Sequence, residues 1–360
     1  MIDQLRLLRD QIDALDASIV KLLKERVEVS RKIGTTKKKL KINVCDPVRE
    51  DEVLSNVEKL GSKLDMKKED LREAYKKILS MSRAVQGRQD RVAFLGPSGT
   101  FCEQASRHHF KNSSTFFVEH PTITDVFRAV GVGEVDYGVV PVENSTEGSV
   151  NVALDMLFNS DLKVCGEIEQ RIRHNLIAKP GTKWNSIRTV VSHPQALAQC
   201  RKFLEENIPD AKLNQVSSTS AAIRMAKRLR NTVAIGTELA AEINGMEIIA
   251  RGIEDNPRNF TRFFVIGRHD APPSGNDKTS IVFSVRHVPG ALFNAIQRFS
   301  ERGLNLTKIE SRPTRDVPWE YVFYCDFEGH RNEEKCLTAL KELEAKCQFV
   351  KVLGSYPRAR

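Results

Sequence analysis

From Leu5 the chain repeats apolar residues at alternating spacings of three and four, through Leu8, Ile12, Leu15, Ile19 and Leu22, and resumes at Val29 and Ile33. That rhythm is a helical seam, and it constrains the fold more than any other feature because apolar positions must be covered along its whole length. Run from about Asp3 to Leu40, the helix would be on the order of 55 Å long, whereas a compact unit of this module's size has a radius of gyration of only about 12 Å. One copy cannot cover its own seam. A homodimer with interlocked long helices is the economical expectation, and it lets residues near one chain's N-terminus meet the middle of its partner.

The seam is interrupted once, by Arg26 between Leu22 and Val29. A buried guanidinium costs several kcal/mol unless an anion meets it, so the bundle is expected to be built around a negative group. Either Glu50 of the same chain or a ligand can supply it. The second helix starts with Asp46 as N-cap and Pro47 at its first position. Its apolar face, Val53, Val57, Leu60 and Leu64, places Arg49 and Glu50 on or beside that face one turn back. The third helix, through Leu71, Tyr75 and Ile78, leads at the same spacing to Ser82 and Gln86. Arg9 and Lys37 flank the seam of the first helix.

Among 360 residues, 40% apolar and 29% charged, there is room for two or three domains with cores of their own. No run of eighteen apolar residues occurs, and Met1 leads straight into a polar helix with no charged-then-apolar leader, so the cytoplasm is the expected compartment. Seven scattered cysteines, none in Cys-x-x-Cys spacing, argue against a disulfide framework and a zinc site. The net charge of +9 favours anionic partners. Because the positive residues are dispersed and no nucleic-acid motif occurs, small anions are expected, with no nucleic acid and no membrane.

Residues 1–89 read as all helix. Alternating strands and helices follow over 90–269, then a linker by composition at 270–278, then strand, helix, two strands, helix and strand over 279–360, the βαββαβ order of a ferredoxin-like fold. In the central module four strand ends are rich in hydroxyls or amides. They carry Ser98 and Thr100, Asn144 and Ser145, Ser192 and Gln195, and Thr219, and each precedes a helical run, which suits a cleft for a small polar anion. His193, before Pro194 at a turn, reads as structural.

These blocks carry family resemblances. Arg9, Arg26, Lys37, Asp46, Arg49-Glu50, Ser82 and Gln86 together resemble the all-helical class of chorismate mutase, an intertwined dimer that converts chorismate to prephenate by a Claisen rearrangement. The resemblance implies that Arg9 of a partner chain, Arg26 and Arg49 hold the substrate carboxylates. It implies that Lys37 and Gln86 donate to the ether oxygen, where charge grows, and that Glu50 and Asp46 hold the ring hydroxyl. The 142–148 block, Ser192-His193-Pro194-Gln195-Ala196-Leu197 and Thr261-Arg262-Phe263 resemble prephenate dehydratase, implying two lobes like those of a periplasmic binding protein. Thr261 is then the catalytic position, a hydrogen-bond donor to the departing ring hydroxyl. Ser98, Thr100, Asn144, Ser145, Ser192, Gln195, Thr219 and Arg262 are implied around prephenate. Strand alternation puts Thr261 and Arg262 on opposite faces unless a bulge intervenes, so the Arg262 contact is the less secure one.

The C-terminal motifs, Pro289-Gly290-Ala291-Leu292 and Glu310-Ser311-Arg312-Pro313, resemble those of the ACT domain. That implies phenylalanine bound at a subunit interface by Gly290, Ala291, Leu292, Asn305, Glu310 and Ser311, with feedback inhibition. No cofactor or metal is implied. The expectation is a multidomain enzyme of phenylalanine biosynthesis, isomerase and lyase in one chain. Its rivals are a ligand sensor without turnover and a dehydratase that prefers arogenate.

Overall fold

The computed structural model describes residues 2–40, 47–85, 90–110, 115–313 and 320–359. The chain forms two compact units, the first ending at Asp90 and the second starting at Arg91, apart from a short stretch ending at Phe116 that belongs with the first.

The first unit is helical: α1 (Ile2–Leu40), α2 (Pro47–Ser62) and α3 (Lys68–Val85). Leu54, Val57 and Leu79 are buried inside it, and Arg72 of α3 pairs with Glu58 of α2. A Cβ on Gly61 would overlap Leu71 Cδ1, so the missing side chain lets α3 leave α2 through the turn at 63–67. The long helix carries two stripes where the sequence suggested one. Leu23, Arg26, Val27, Ser30, Gly34 and Lys37 are buried or half-buried, whereas the heptad seam is bare, with Leu22 64% and Val29 55% exposed. Arg26 therefore leaves the seam it was read on. At 3.6 residues per turn, positions 26, 30 and 34 follow a separate row.

The second unit has three sheets. Its first lobe runs β1 (Arg91–Leu95), α4 (Phe101–His109), β2 (Phe116–His120), α5 (Ile123–Gly131), β3 (Tyr137–Asn144), β4 (Gly148–Ser149), α6 (Asn151–Asn159) and β5 (Lys163–Arg171). The chain then crosses into a second lobe: β6 (Asn175–Ala178), β7 (Thr189–Ser192), α7 (Pro194–Gln199), α8 (Arg201–Asn207), β8 (Lys212–Gln215), α9 (Thr219–Arg228), β9 (Thr232–Gly236), α10 (Glu238–Asn244) and β10 (Glu247–Arg251). It returns as β11 (Phe260–Gly267), which enters the first sheet between β3 and β5, giving the order β2-β1-β3-β11-β5 with β4 on β3. The second sheet is ordered β10-β6-β9-β7-β8. The two crossings are bonded to each other, Ile172 N–H to Asn259 O at 2.8 Å and Ile253 N–H to His174 O at 2.9 Å.

The last sheet contains β12 (Asp277–Ser284), β13 (Leu306–Pro313), β14 (Tyr321–Glu328) and β15 (Phe349–Pro357), with α11 (Ala291–Ser300) and α12 (Glu334–Glu344) between them. Its antiparallel order β13-β14-β12-β15 is the 2-3-1-4 order of a ferredoxin-like fold. The strand β12 starts at Asp277, inside the stretch read as linker, and Asp277 accepts from Ser274 N–H at 2.8 Å.

This sheet shares a core with the first lobe: Val282, Val322, Tyr324, Leu353 and Tyr356 pack with Val126, Phe127, Leu154 and Leu157. The helix α6 is held at both ends. Arg312 meets Asn151 Oδ1 at 2.6 Å and Asp155 at 3.0 Å, while Lys351 Nζ donates to Phe158 O and Ser160 O at 2.5 and 2.8 Å, a cation at the helix C-terminus. The six described cysteines are unbridged, and no described helix is long and apolar enough to cross a membrane.

Candidate active sites

In the helical unit the structure joins Arg26 to Ser82. The Arg26 guanidinium donates to Ser82 Oγ, and the buried Ser82 hydroxyl donates to Ile78 O at 2.9 Å. Lys37 lies on the same half-buried row of α1, and Glu50 is half-buried in the first turn of α2. Arg49 pairs with Glu52 at 2.7 Å on the outside, and Arg9 is exposed about two turns from the start of α1. Asp46 and Gln86 lie outside the described residues.

Between the lobes of the second unit is a cavity of about 340 Å³, with Thr261 in its wall. Thr261 pairs in register with Asn144 across β11 and β3. Asn144 Oδ1 accepts two backbone N–H groups, Thr146 and Glu147, each at 3.0 Å. That fixes the amide so that Nδ2 faces Thr261 Oγ1 at 2.9 Å. A hydroxyl oxygen that accepts this bond keeps its own hydrogen for the cavity.

Of the other residues expected around prephenate, Thr100, Gln195 and Thr219 also line the cavity. Ser98, Ser145, Ser192 and Arg262 are placed elsewhere. Ser98 Oγ donates to the buried Glu103 at 2.7 Å and Gly99 N–H does so at 2.6 Å, so a carboxylate of the chain itself fills the anion position of that turn. Ser145 Oγ accepts from Phe260 N–H at 2.9 Å, and the fully buried Ser192 donates to Ile235 O at 2.8 Å.

Arg262 follows strand alternation away from the cavity; the register shift in β11 comes only after it. It reaches Glu167 and Asp326, each at 2.6 Å, and Tyr356 Oη at 3.1 Å, while Lys278 meets Glu167 from the other side at 3.0 Å. Burial alone would lower the guanidinium's pKa, but Asp326 and Glu167 outweigh it and hold the pKa above its ordinary value.

The described lining residues include no lysine or arginine. Hydroxyls and helix starts supply the positive potential: Thr100 caps α4, Ser218 caps α9 by accepting Ala221 N–H at 3.0 Å, and His193 caps α7. Burial pushes the Cys102 thiol up to about 12, so it lines the wall as a neutral group.

Three further wall residues escaped sequence reading: His174, Gln199 and Asn259. Asn259 stands two residues before Thr261, on the same face of an extended chain, and Gln199 stands four after Gln195 on one helix face. Those spacings were available signals. His174 sits in the crossing between lobes and had none.

In the C-terminal module Ala291 and Leu292 line a cavity of about 640 Å³ together with Val285, Tyr321, Phe323 and Phe349. Gly290 starts α11 with φ +79°, a conformation that favours glycine. Asn305 and Ser311 are exposed at β13 and its approach, and Glu310 binds Ser149 of the first lobe and Lys308 at 3.2 Å.

Comparison with known proteins agrees with this division. Family models match in three blocks, chorismate mutase type II over residues 8–87, prephenate dehydratase over 92–271 and the ACT domain over 279–345. A bifunctional chorismate mutase/prephenate dehydratase of Aquifex aeolicus is 42% identical over 360 residues, covering 99% of both chains. A prephenate dehydratase of Arthrobacter aurescens solved with L-Phe is 34% identical with a TM-score of 0.69, covering 75% of this chain and 90% of that one. A solved protein described as a quorum quenching acylase is 31% identical with the same TM-score, covering 75% of this chain and 98% of that one. The chain belongs to the bifunctional chorismate mutase/prephenate dehydratase family, with an ACT domain as its third block.

Proposed function

We propose that the two activities divide between the two units, the mutase site forming on the helical unit and the dehydratase site in the cleft that contains Thr261. A Claisen rearrangement needs no nucleophile and no proton transfer, so the helical unit must supply shape and charge. In this reading Arg26, steadied by Ser82, takes one carboxylate of chorismate, and Arg9 of a second chain, assisted by Arg49, takes the other. Lys37 and Gln86 donate to the ether oxygen, and each such donor contributes roughly 3 kcal/mol. Glu50 and Asp46 hold the ring hydroxyl. The bare seam of α1 supports a homodimer, because ten large apolar side chains from Leu5 to Ile33 are exposed in one chain.

In the dehydratase step the carboxylate leaves as carbon dioxide, its bonding pair becomes a ring double bond, and the ring hydroxyl leaves with its electron pair and takes up a proton from solvent to depart as water, as the product aromatises. Thr261 donates its hydrogen bond to that departing oxygen. Thr100, Asn144, Gln195 and Thr219 line the bound prephenate, while Ser98, Ser145, Ser192 and Arg262 hold the walls that position them. The observation that carries this reading is the bond from Asn144 Nδ2 to Thr261 Oγ1, which turns the hydroxyl hydrogen toward the cavity. Gly290, Ala291 and Leu292 supply one side of a phenylalanine site in the ACT domain, and Asn305, Glu310 and Ser311 of the edge strand supply the other across a subunit contact. Feedback inhibition by phenylalanine and a cytoplasmic location complete the reading, with no cofactor.

One assay tests it. Purified protein given chorismate should consume it and release phenylpyruvate, and phenylalanine should suppress the second step. Chorismate loss without phenylpyruvate would remove the dehydratase assignment, and an unchanged rate with phenylalanine would remove the regulatory one.

A further inference from the structure

The cavity wall holds a chain of side-chain hydrogen bonds that continues beyond the Asn144–Thr261 pair used above. Starting from Thr261 Oγ1, Asn144 Nδ2 donates at 2.9 Å and also donates to Asn259 Oδ1 at 2.7 Å, the two shortest of its three contacts, with Phe260 O farther off at 3.1 Å. Asn259 Nδ2 donates to Gln199 Oε1 at 3.2 Å, and the same Gln199 oxygen meets His174 Nε2 at 2.9 Å. Each orientation follows from the one before it. Asn144 is fixed by two backbone N–H groups, which makes Asn259 Oδ1 an acceptor and Asn259 Nδ2 a donor, so Gln199 presents its oxygen. His174 must then carry its proton on Nε2. Its Nδ1 is left without a hydrogen-bond partner although the residue is only 3% exposed.

The chain spans the cleft. Gln199 belongs to α7 of the second lobe, Asn144 and Thr261 belong to the first, and Asn259 and His174 lie in the two crossings between them. The imidazole is clamped there by more than this bond. Its backbone N–H donates to Glu254 Oε2 at 2.9 Å, and its ring meets Phe101 edge-on at 5.4 Å.

We propose that His174 is a positioning residue of the dehydratase reaction. Its Nε2–H holds Gln199, and through Asn259 and Asn144 it keeps the Thr261 hydroxyl hydrogen aimed at the leaving oxygen while tying the two lobes in register. This rests on the assignment of the dehydratase site to this cleft. A plain packing role for the ring predicts loss of stability only. A direct role through Nδ1 predicts that Nδ1 is the atom that must be kept.

Two substitutions separate these roles. The glutamine amide of His174→Gln places an N–H near the position of Nε2, and the asparagine amide of His174→Asn mimics Nδ1 instead. Wild-type protein is assayed first for phenylpyruvate formation, which tests the site assignment alone, and tryptophan fluorescence with the urea unfolding midpoint of each sample reports whether the larger unit, which holds the cleft, is folded. H174N should lower dehydratase kcat by about 10- to 100-fold with little change in KM, as loss of alignment does. H174Q should keep most of the activity.

As a second arm, N259D can accept from Asn144 but cannot donate to Gln199 when ionised. It should lower kcat in the same way, and combining it with H174N should cost little more, because both break one chain. Full kcat in H174N, better activity in H174N than in H174Q, or additive losses in the double variant would each overturn the proposal.

Discussion

Thr261 is a weak acid with one useful hydrogen, and its neighbour decides where that hydrogen points. Because Asn144 donates to Oγ1, replacing Thr261 by serine should preserve the geometry, while Thr261→Ala removes the donor. Loss of a preorganised donor costs on the order of 10²–10³ in kcat, so T261A should all but abolish phenylpyruvate formation. Mutase turnover of the same sample should be unchanged; a comparable fall in both would mean that the sites are not independent.

His174 gives a second prediction. Burial holds its imidazole below the usual value of 6.5, although Gln199 and the nearby Glu254 pull the other way. The unfolded chain therefore binds a proton that the folded chain refuses. The stabilisation is complete above about pH 6.5 and is lost as pH falls toward and through the folded value, at up to about 1.4 kcal/mol per pH unit. Both tryptophans, at positions 184 and 319, lie beyond the helical unit, so urea unfolding followed by their fluorescence reports on the larger unit. Between pH 7.5 and 5.5 the wild type should lose more stability than H174Q, and parallel losses would refute the assignment of this proton to His174.

At the scale of elements, the decisive fact is that β11 carries Thr261 and Arg262 on opposite faces, one toward the cleft and the other into the contact with the C-terminal sheet. Alternation along a strand was legible in the sequence, and so were the helical module, the order of the last six elements and the residue types at the strand ends. What the strand ends did with their hydroxyls was not. Ser98 turns to Glu103, five residues on in the first turn of α4, whereas Ser145 and Ser192 satisfy Phe260 and Ile235 from elsewhere in the fold, and nothing in local spacing shows that those two partners will be within reach. The stretch read as a linker shows a related limit, since β12 already starts at Asp277. Polar, proline-rich composition marks 270–278 as a connection but does not show that Tyr324, Leu353 and Tyr356 will enter the first lobe's core.

That union can be tested at Gly354, where a Cβ would overlap Val164 O and come within 2.7 Å of its backbone nitrogen. Backbone cannot rotate aside as a side chain can, so Gly354→Ala should cost roughly 1–3 kcal/mol and lower the melting temperature of the larger unit by several degrees. Mutase activity should persist, and an unaltered melting temperature would show that β15 and β5 tolerate separation.

For the whole molecule, the helical unit imposes a condition that one chain does not meet. Its longest helix has 39 residues, and from Leu5 to Ile33 its seam is exposed, while the row with Arg26, Ser30 and Gly34 is covered from within. In the proposed mutase site Arg26 and Ser82 would form one wall within the same chain, yet Arg9 stands on the same helix about 17 residues away, roughly 25 Å at 1.5 Å per residue. A single small substrate cannot bridge that distance. If a second chain lies antiparallel along the seam, its Arg9 replaces the distant one and each site draws on both chains. Arg9→Ala and Arg26→Ala homodimers should then both be inactive as mutases. In a mixed dimer one site inherits both substitutions and the other inherits neither. With random exchange half the dimers are mixed and half their sites are intact, so mutase activity should return to about a quarter of wild type. Measured after denaturing and refolding the two variants together, no recovery would rule out a shared site. Dehydratase activity should stay constant across all these samples, because the cleft around Thr261 lies wholly within the second unit.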